Sequence, residues 1–229
     1  MTNFRIEKDT LGEVNVPNDK FWGAQTQRSL NNFEISDTMP FEIIKAFAIQ
    51  KKAAAISNVA IEKLDKKLGE KIIEVCDEII EGKLNDQFPL SVWQTGSGTQ
   101  TNMNLNEVIA NKANKILGKK LGSYQPIHPN DHCNLGQSSN DSFPSAIHIA
   151  IAMETNEKLK PTLKELIISL EKKEKQFSEI VKIGRTHMQD ATPITLGQEF
   201  GCYRSQLSNS LLRIEKSLEE IFFLAQGGT

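Results

Sequence analysis

Between Ile194 and Ala225 the residues Leu196, Phe200, Tyr203, Leu207, Leu211, Ile214, Leu218, Ile221 and Ala225 recur at steps of four or three. That spacing lays them along one stripe of a single long helix, and no strand register reproduces it. A stripe so narrow and so long suits the seam of a helical bundle or a coiled-coil-like contact, so these residues read first as core. A second helical stretch precedes it, from about Phe143 to Val181, with Pro161 as a kink or restart. Two long helices do not close a bundle alone, and their partners are expected from further sequence or from other subunits. The run Glu171-Lys172-Lys173-Glu174-Lys175 reads as a solvated helix face.

Upstream the pattern is shorter-ranged. Phe4 to Val16 alternates loosely around Gly12, which predicts a short hairpin. Ile43, Ile44, Phe47, Ile56, Val59 and Leu64 recur near helical spacing. Leu68, Ile72, Val75, Cys76 and Ile79 do the same, with Gly82 placed to cap the C-terminus. A polar stretch, Gln94 to Asn102, leads into a helix carrying Met103, Leu105, Val108, Ile109 and Ile116. From Gly118 to Gln137 the composition turns to Gly, Pro and Asn and marks a long loop. The chain is therefore expected to be mainly α. A small, mostly helical N-terminal domain with a short β-hairpin (1–137) precedes the first long helices of a central bundle (138–229), left incomplete in this chain.

Bulk properties exclude several classes. A net charge of −2 gives no basic footprint for nucleic acid. Three widely spaced cysteines, Cys76, Cys133 and Cys202, fit neither a disulfide framework nor a cysteine zinc site. No apolar run is long enough for a membrane span. Glu7, Asp9 and Glu13 come too early for a secretory signal or an acid-poor transit peptide. The expectation is a cytoplasmic protein in a reducing compartment.

Small polar residues stand before three helices. Ser97 to Asn102 precedes one. Ser138-Ser139-Asn140-Asp141 precedes the second, with Pro144 in its first turn. Arg185-Thr186-His187 and Asp190-Ala191-Thr192-Pro193 precede the third, Thr192 being suited to the N-cap and Pro193 to the first helical position. Helix N-termini carry unpaired N–H groups and a partial positive charge, so convergent starts make a pocket of donors for a small dianion. Ordinary capping is the better explanation of any one segment alone, and it is the three together, one with glycine-spaced hydroxyls and one with a histidine, that point to a site. His187 is the best acid–base candidate, because imidazole exchanges protons near neutrality. His148, among Ile147, Ile149 and Ile151, reads as packing. His128-Pro129-Asn130-Asp131-His132-Cys133 superficially resembles a metal site, but Pro129 keeps the two histidines from being clean helical neighbours. An anion-binding or loop-ordering role fits it better than a metal site.

Three motifs, QTGSGTQTN from Gln94, HPNDH from His128 with SSND from Ser138, and GRTHMQDATP from Gly184, resemble the fumarase/aspartase superfamily in order and spacing, and within it the class II fumarases. The resemblance covers the chain from Phe21-Trp22-Gly23-Ala24-Gln25-Thr26-Gln27-Arg28-Ser29 to Ala225-Gln226-Gly227-Gly228-Thr229. Aspartases look more like Gly-Ala-Gly-Thr-Ser where this chain has Gly96-Ser97-Gly98-Thr99-Gln100, and usually carry Gln at position 187.

The resemblance implies a fumarase/aspartase-like fold and reversible hydration of fumarate to L-malate, without metal or organic cofactor, in a homotetramer whose core is made by the long helices. Ser97, Gly98, Thr99, Ser138, Ser139 and Asn140 would bind the substrate carboxylates. Thr186 and His187 would complete that pocket, His187 handling the water added or lost. His128, Pro129, Asn130 and Asp131 match the family's second, non-catalytic dicarboxylate site, although Gln125 stands where relatives often have Arg. The family's mobile Ser-Ser-x-Met-Pro-x-Lys-x-Asn loop, whose serine is thought to remove the C3 proton, is expected beyond residue 229. The 229-residue chain is therefore expected to be inactive or very weak alone. Rival readings are a related lyase acting on aspartate or a succinyl adduct, a helical oligomerisation fragment, and a metal-dependent hydrolase built on His128 and His132.

Overall fold

The structure is a computed structural model that describes residues 3–228, so Thr229 of the C-terminal motif lies outside the described residues. The chain forms two compact units. The first runs to Ala150 and includes the residues from Leu224 on, and the second is Ile151–Phe223. The division falls inside a helix.

The first unit opens with the expected hairpin, β1 (Phe4–Asp9) against β2 (Gly12–Pro17), closed where Asp9 faces Gly12. Gly12 has φ +110°, a value that side chains disfavour, which accounts for glycine at the turn. Three helices follow: α1 (Ala24–Asn32), α2 (Phe41–Ala60) and α3 (Lys66–Ile80). α2 stops before Leu64, which is buried from the turn beyond it; the N–H groups of Lys63 and Leu64 both return to the carbonyl of Asn58. The Asp65 side chain caps α3 by accepting from Lys67 and Leu68 N–H, and Gly82 at φ +77° follows its end. The apolar core lies between α2, α3 and the next helix, α4 (Thr99–Ile116), and includes Ile44, Phe47, Ile72, Val75, Ile79, Leu105, Val108 and Ile109.

α4 organises the unit through polar side chains that are themselves buried. Asn104 donates to the Gln87 carbonyl at 3.1 Å. Asn111 donates to the Phe21 carbonyl and accepts from Gly122 N–H, both at 2.8 Å. Asn114 donates to the Ile127 carbonyl at 2.8 Å and accepts from the same residue's N–H at 3.0 Å. Glu107 accepts from the N–H groups of Gly23, Gln25 and Thr26 and from the Thr26 hydroxyl at 2.6 Å. It thus caps α1, whose own N-cap, Gly23, has no side chain to do so. Burial pushes the Glu107 carboxyl upward, and these four bonds oppose the push.

α5 (Ser139–Glu154) begins in the first unit. Pro144 is its sixth residue, in the second turn rather than the first; its ring removes one N–H from the ladder there.

In the second unit a π-helical turn, Thr155–Leu159, carries the helix without a break into α6 (Lys160–Gln176), and Pro161 comes just after this shifted stretch of the hydrogen-bond ladder. The helix ends at Gln176, and Val181 starts a strand. A second hairpin, β3 (Val181–Thr186) against β4 (Gln189–Thr195), occupies the segment read as a helix approach. Thr192 and Pro193 are therefore strand residues, Pro193 facing Ile183. The N-cap of α7 (Leu196–Ile221) is Thr195: its hydroxyl accepts from Gln198 N–H at 3.0 Å, and the Gln198 side chain accepts from Thr195 N–H at 2.8 Å. That reciprocal box satisfies two donors where Thr192 alone would satisfy one.

α6 and α7 pack antiparallel through Arg204–Glu174 and a tilted Phe177–Phe200 pair. Within α7 only Gly197 and Leu218 are fully buried, while Leu207, Leu211 and Ile214 are half-buried. Ile168 and Leu212 are exposed. Among the described residues no helix is long and apolar enough to cross a membrane.

Removing the Glu107 carboxylate takes the acceptor from four donors, three of them on the buried Gly23 and Thr26. Glu107→Ala is expected to lower stability by more than about 3 kcal/mol, read from chemical denaturation.

Candidate functional site

Two of the three polar segments meet in the first unit. Gly98, at the N-cap of α4, has φ +70°, and a Cβ there would lie 2.1 Å from the Phe143 ring of α5. Both the backbone angle and this close approach require glycine. The contact brings Ser97–Thr99 against the start of α5. Ser97 and Thr99 are exposed, with their hydroxyls 3.0 Å apart, and the Thr95 hydroxyl lies 3.3 Å from that of Ser97.

At the start of α5, the Ser138 hydroxyl accepts from Asn140 N–H at 3.3 Å, while Ser138 N–H donates to Asp141 at 3.0 Å. Asn140 is exposed. Asn102 of α4 joins the two segments, donating to the Ser139 hydroxyl at 3.0 Å and to the Asn134 carbonyl oxygen at 3.1 Å. The tail returns here as well, Gly227 N–H donating to Asp141 at 3.0 Å. Burial would raise the Asp141 carboxyl, but the N–H groups of Ser138 and Gly227 and the Ser142 hydroxyl hold it below the usual range.

Beneath this surface lies Lys51, only 1% exposed. Its ammonium donates to Asn134 Oδ1 at 2.9 Å and stands 5.3 Å from the Phe47 ring centre. Burial pulls its pKa down to about 7, against smaller opposing effects from Cys133, Cys76 and Asp141. The same burial pushes the Cys133 thiol up to about 12.

Thr186 and His187 belong to the second unit. His187 and Met188, with φ of 51° and 60°, are the two central residues of the β3–β4 turn. Positive φ at both centres is the geometry of a type I′ turn, which favours Asn-Gly; His and Met there carry backbone strain of about 1–3 kcal/mol each. The turn displays both side chains to solvent.

His128, Pro129 and Asn130 line a cavity of about 310 Å³ in the first unit, shared with Lys8, Gln25 and Tyr124. Pro129 and Asn130 sit on a π-helical turn, Pro129–Cys133, of which His128 is the N-cap. His128 Nδ1 accepts from the N–H groups of Asn130 and Asp131 at 3.2 Å, and His132 Nδ1 accepts from His128 N–H at 2.9 Å. Backbone donors thus occupy both Nδ1 lone pairs. Asp131 is exposed, 3.3 Å from His128 Nδ1, and does not line the cavity. Gln125 opens instead onto a separate cleft with Lys119 and Lys120.

A family model described as lyase matches residues 12–229. The chain belongs to this lyase family. It is 57% identical to a class II fumarate hydratase of Brucella suis over all of its own length and 50% of that protein's. It is 58% identical to fumarate hydratase 2 of Arabidopsis thaliana, again over its whole length and 46% of the relative's. The structure superposes on the class II fumarase of Schistosoma mansoni with a TM-score of 0.93 at 47% identity, covering 99% of this chain and 48% of the other. The lyase chain thus spans about half the length of the curated relatives it matches.

Sequence reading missed Lys51, Asn102 and Asn134. One signal was available: α4 carries five asparagines, Asn102, Asn104, Asn106, Asn111 and Asn114, all buried. Asparagine is a poor helix former, so such a run in a helix implies bonds made elsewhere.

The buried lysine carries its own test. In the folded lyase Lys51 releases its proton near pH 7, in the unfolded chain near 10.5. The unfolded state binds more protons between these values, so the penalty of burying the charge is full below pH 7 and relieved as pH rises towards 10.5. Lys51→Met is expected to stabilise the protein at pH 6 by roughly 1–4 kcal/mol and to remove this part of the rise in stability at higher pH, measured by denaturation across pH.

Proposed function

We propose that the chain is the N-terminal half of a class II fumarate hydratase, acting in the reversible hydration of fumarate to L-malate. The observation that carries this reading is the junction of Ser97–Thr99 with Ser138–Asn140 through Gly98 on Phe143 and Asn102 on Ser139. It supports a rim of hydroxyl and amide donors at two helix starts, the chemistry that a small dicarboxylate needs. The similarity to fumarate hydratases over the whole chain supports the choice of substrate.

In this reading Ser97, Gly98, Thr99, Ser138, Ser139 and Asn140 hold the carboxylates, and Thr186 and His187 are contributed by another subunit, since different subunits of the tetramer build each site. Removing a proton beside a carboxylate builds a second negative charge, and preorganised donors stabilise it without moving. His187 handles the water, imidazole being able both to take and to give a proton. The strained turn under it supports a functional rather than a packing role. No metal enters the scheme. His128, Pro129, Asn130 and Asp131 form a second dicarboxylate site, with residues 1–137 as the N-terminal lyase domain and 138–229 opening the central bundle. The assembled enzyme is a cytoplasmic homotetramer of the tricarboxylic acid cycle; exposed Ile168 and Leu212 on the long helices support burial against partner helices.

Fumarate absorbance followed on adding L-malate, in chelator, tests the reading. Turnover is expected when this chain is combined with a segment matching the other half of its relatives, and little or none from the chain alone. A folded mixture silent on malate would overturn it, and aspartate would be tried next. In the active mixture His187→Asn is expected to lower kcat at least about 100-fold, and a near-normal rate would remove the role given to His187.

A further inference from the structure

Lysine is a costly residue at a fully buried helix position, and here it makes one short bond, to Asn134. Its position is explained by what that bond dictates. We propose that Lys51 is a positioning residue for the carboxylate site, setting through Asn134 and Asn102 which way the Ser139 hydroxyl points its proton. The chain of bonds stands on the structure alone; that the proton serves a dicarboxylate rests on the fumarate reading above.

Below pH 7 Lys51 is an ammonium, with three donors and no acceptor, so the Asn134 atom facing it is the oxygen. The Asn134 nitrogen then points to the Gln137 carbonyl at 3.1 Å, which also demands a donor. Facing a fixed oxygen, Asn102 presents its nitrogen, and its two N–H groups reach Asn134 and Ser139. Ser139 Oγ therefore accepts from the protein, and its own proton is left for a ligand.

This orientation leaves one buried atom unpaired. Asn102 is 1% exposed, yet its side-chain oxygen, Oδ1, has no hydrogen-bond partner among the described residues. Turning the amide over would satisfy that oxygen with the Ser139 proton, but would set it against the Asn134 oxygen that Lys51 holds in place. Without the lysine only the Gln137 carbonyl holds Asn134, and turning Asn134 and Asn102 together costs that one bond while it pairs the Asn102 oxygen with the Ser139 proton. Ser139 then donates inward and meets a carboxylate with lone pairs alone.

The test has two parts, and the first needs no turnover. Side-chain amide NMR of this chain is expected to show one slowly exchanging signal set for Asn102 and for Asn134. In Lys51→Met, a variant expected to be more stable than the parent, those signals should move or double, and Ser139→Ala should move the Asn102 signals. Asn102 signals unchanged in a folded Lys51→Met protein would overturn the proposal.

The second part is a double-mutant cycle on KM for fumarate in the complemented protein. Lys51→Met and Ser139→Ala are each expected to raise KM about tenfold, and the double variant also about tenfold, because both remove the same donated proton. A double variant weakened about a hundredfold, the product of the two, would mean that Lys51 does not act through Ser139, and would overturn the proposal as well. If the unmodified mixture turns over no fumarate, the fumarate reading fails, and the amide signals alone decide for or against Lys51.

Discussion

The first unit depends on α4 being both buried and polar. A helix sunk in a core normally presents aliphatic side chains all round, and Leu105, Val108 and Ile109 do so here. Between them, however, asparagines and a glutamate reach out and fasten irregular backbone: the chain before α1, the turn after α4, and the loop at Ile127. Loops with few internal hydrogen bonds of their own are thereby given fixed partners. Such side chains are specific in a way that apolar contacts are not, because each accepts or donates in one direction only. The same helix carries Gly98 at its start and Asn102 one turn on, so the element that orders the loops also orders the candidate site.

The site shows a corresponding division of labour. The hydroxyls at the surface, Ser97 and Thr99, are exposed and bonded mainly to neighbours. The residues that fix their surroundings lie underneath: Phe143 against Gly98, and Asn102, Asn134 and Lys51 behind Ser139. Exposed groups are free to meet a ligand, and buried ones hold the frame. A stability cost at Lys51 is intelligible on those terms, as a polar group kept for direction rather than for cohesion.

Much of this was legible in the sequence, in proportion to how local the signal was. Period and turn residues gave the hairpin at Gly12, α3 with its end at Gly82, and the long stripe of α7, since each depends on neighbours a few residues away. The starts of α4 and α5 were visible as clusters of small polar residues. Their junction was not, because it rests on a ring at position 143 fitting a missing Cβ at position 98. The second hairpin was missed for a related reason. His187-Met188 carries no turn signal, and Thr192-Pro193 imitates a helix start that the Thr195–Gln198 box overrides. The half-buried stripe of α7 pointed to bundle packing without naming the partners that cover its remaining face.

The trans cap on α1 has a further consequence, for the order of folding. An isolated nine-residue helix is marginal in water, and this one has neither an N-cap side chain nor an acidic residue in its first turn. Its missing acceptor arrives from residue 107, more than eighty positions along the chain. The first helix in sequence therefore cannot be among the first to form; it waits for the core of α2, α3 and α4 to close the intervening loop. On a ribosome the N-terminal segment would emerge well before the residue that holds it, and would remain without stable helix until α4 had been synthesised and packed.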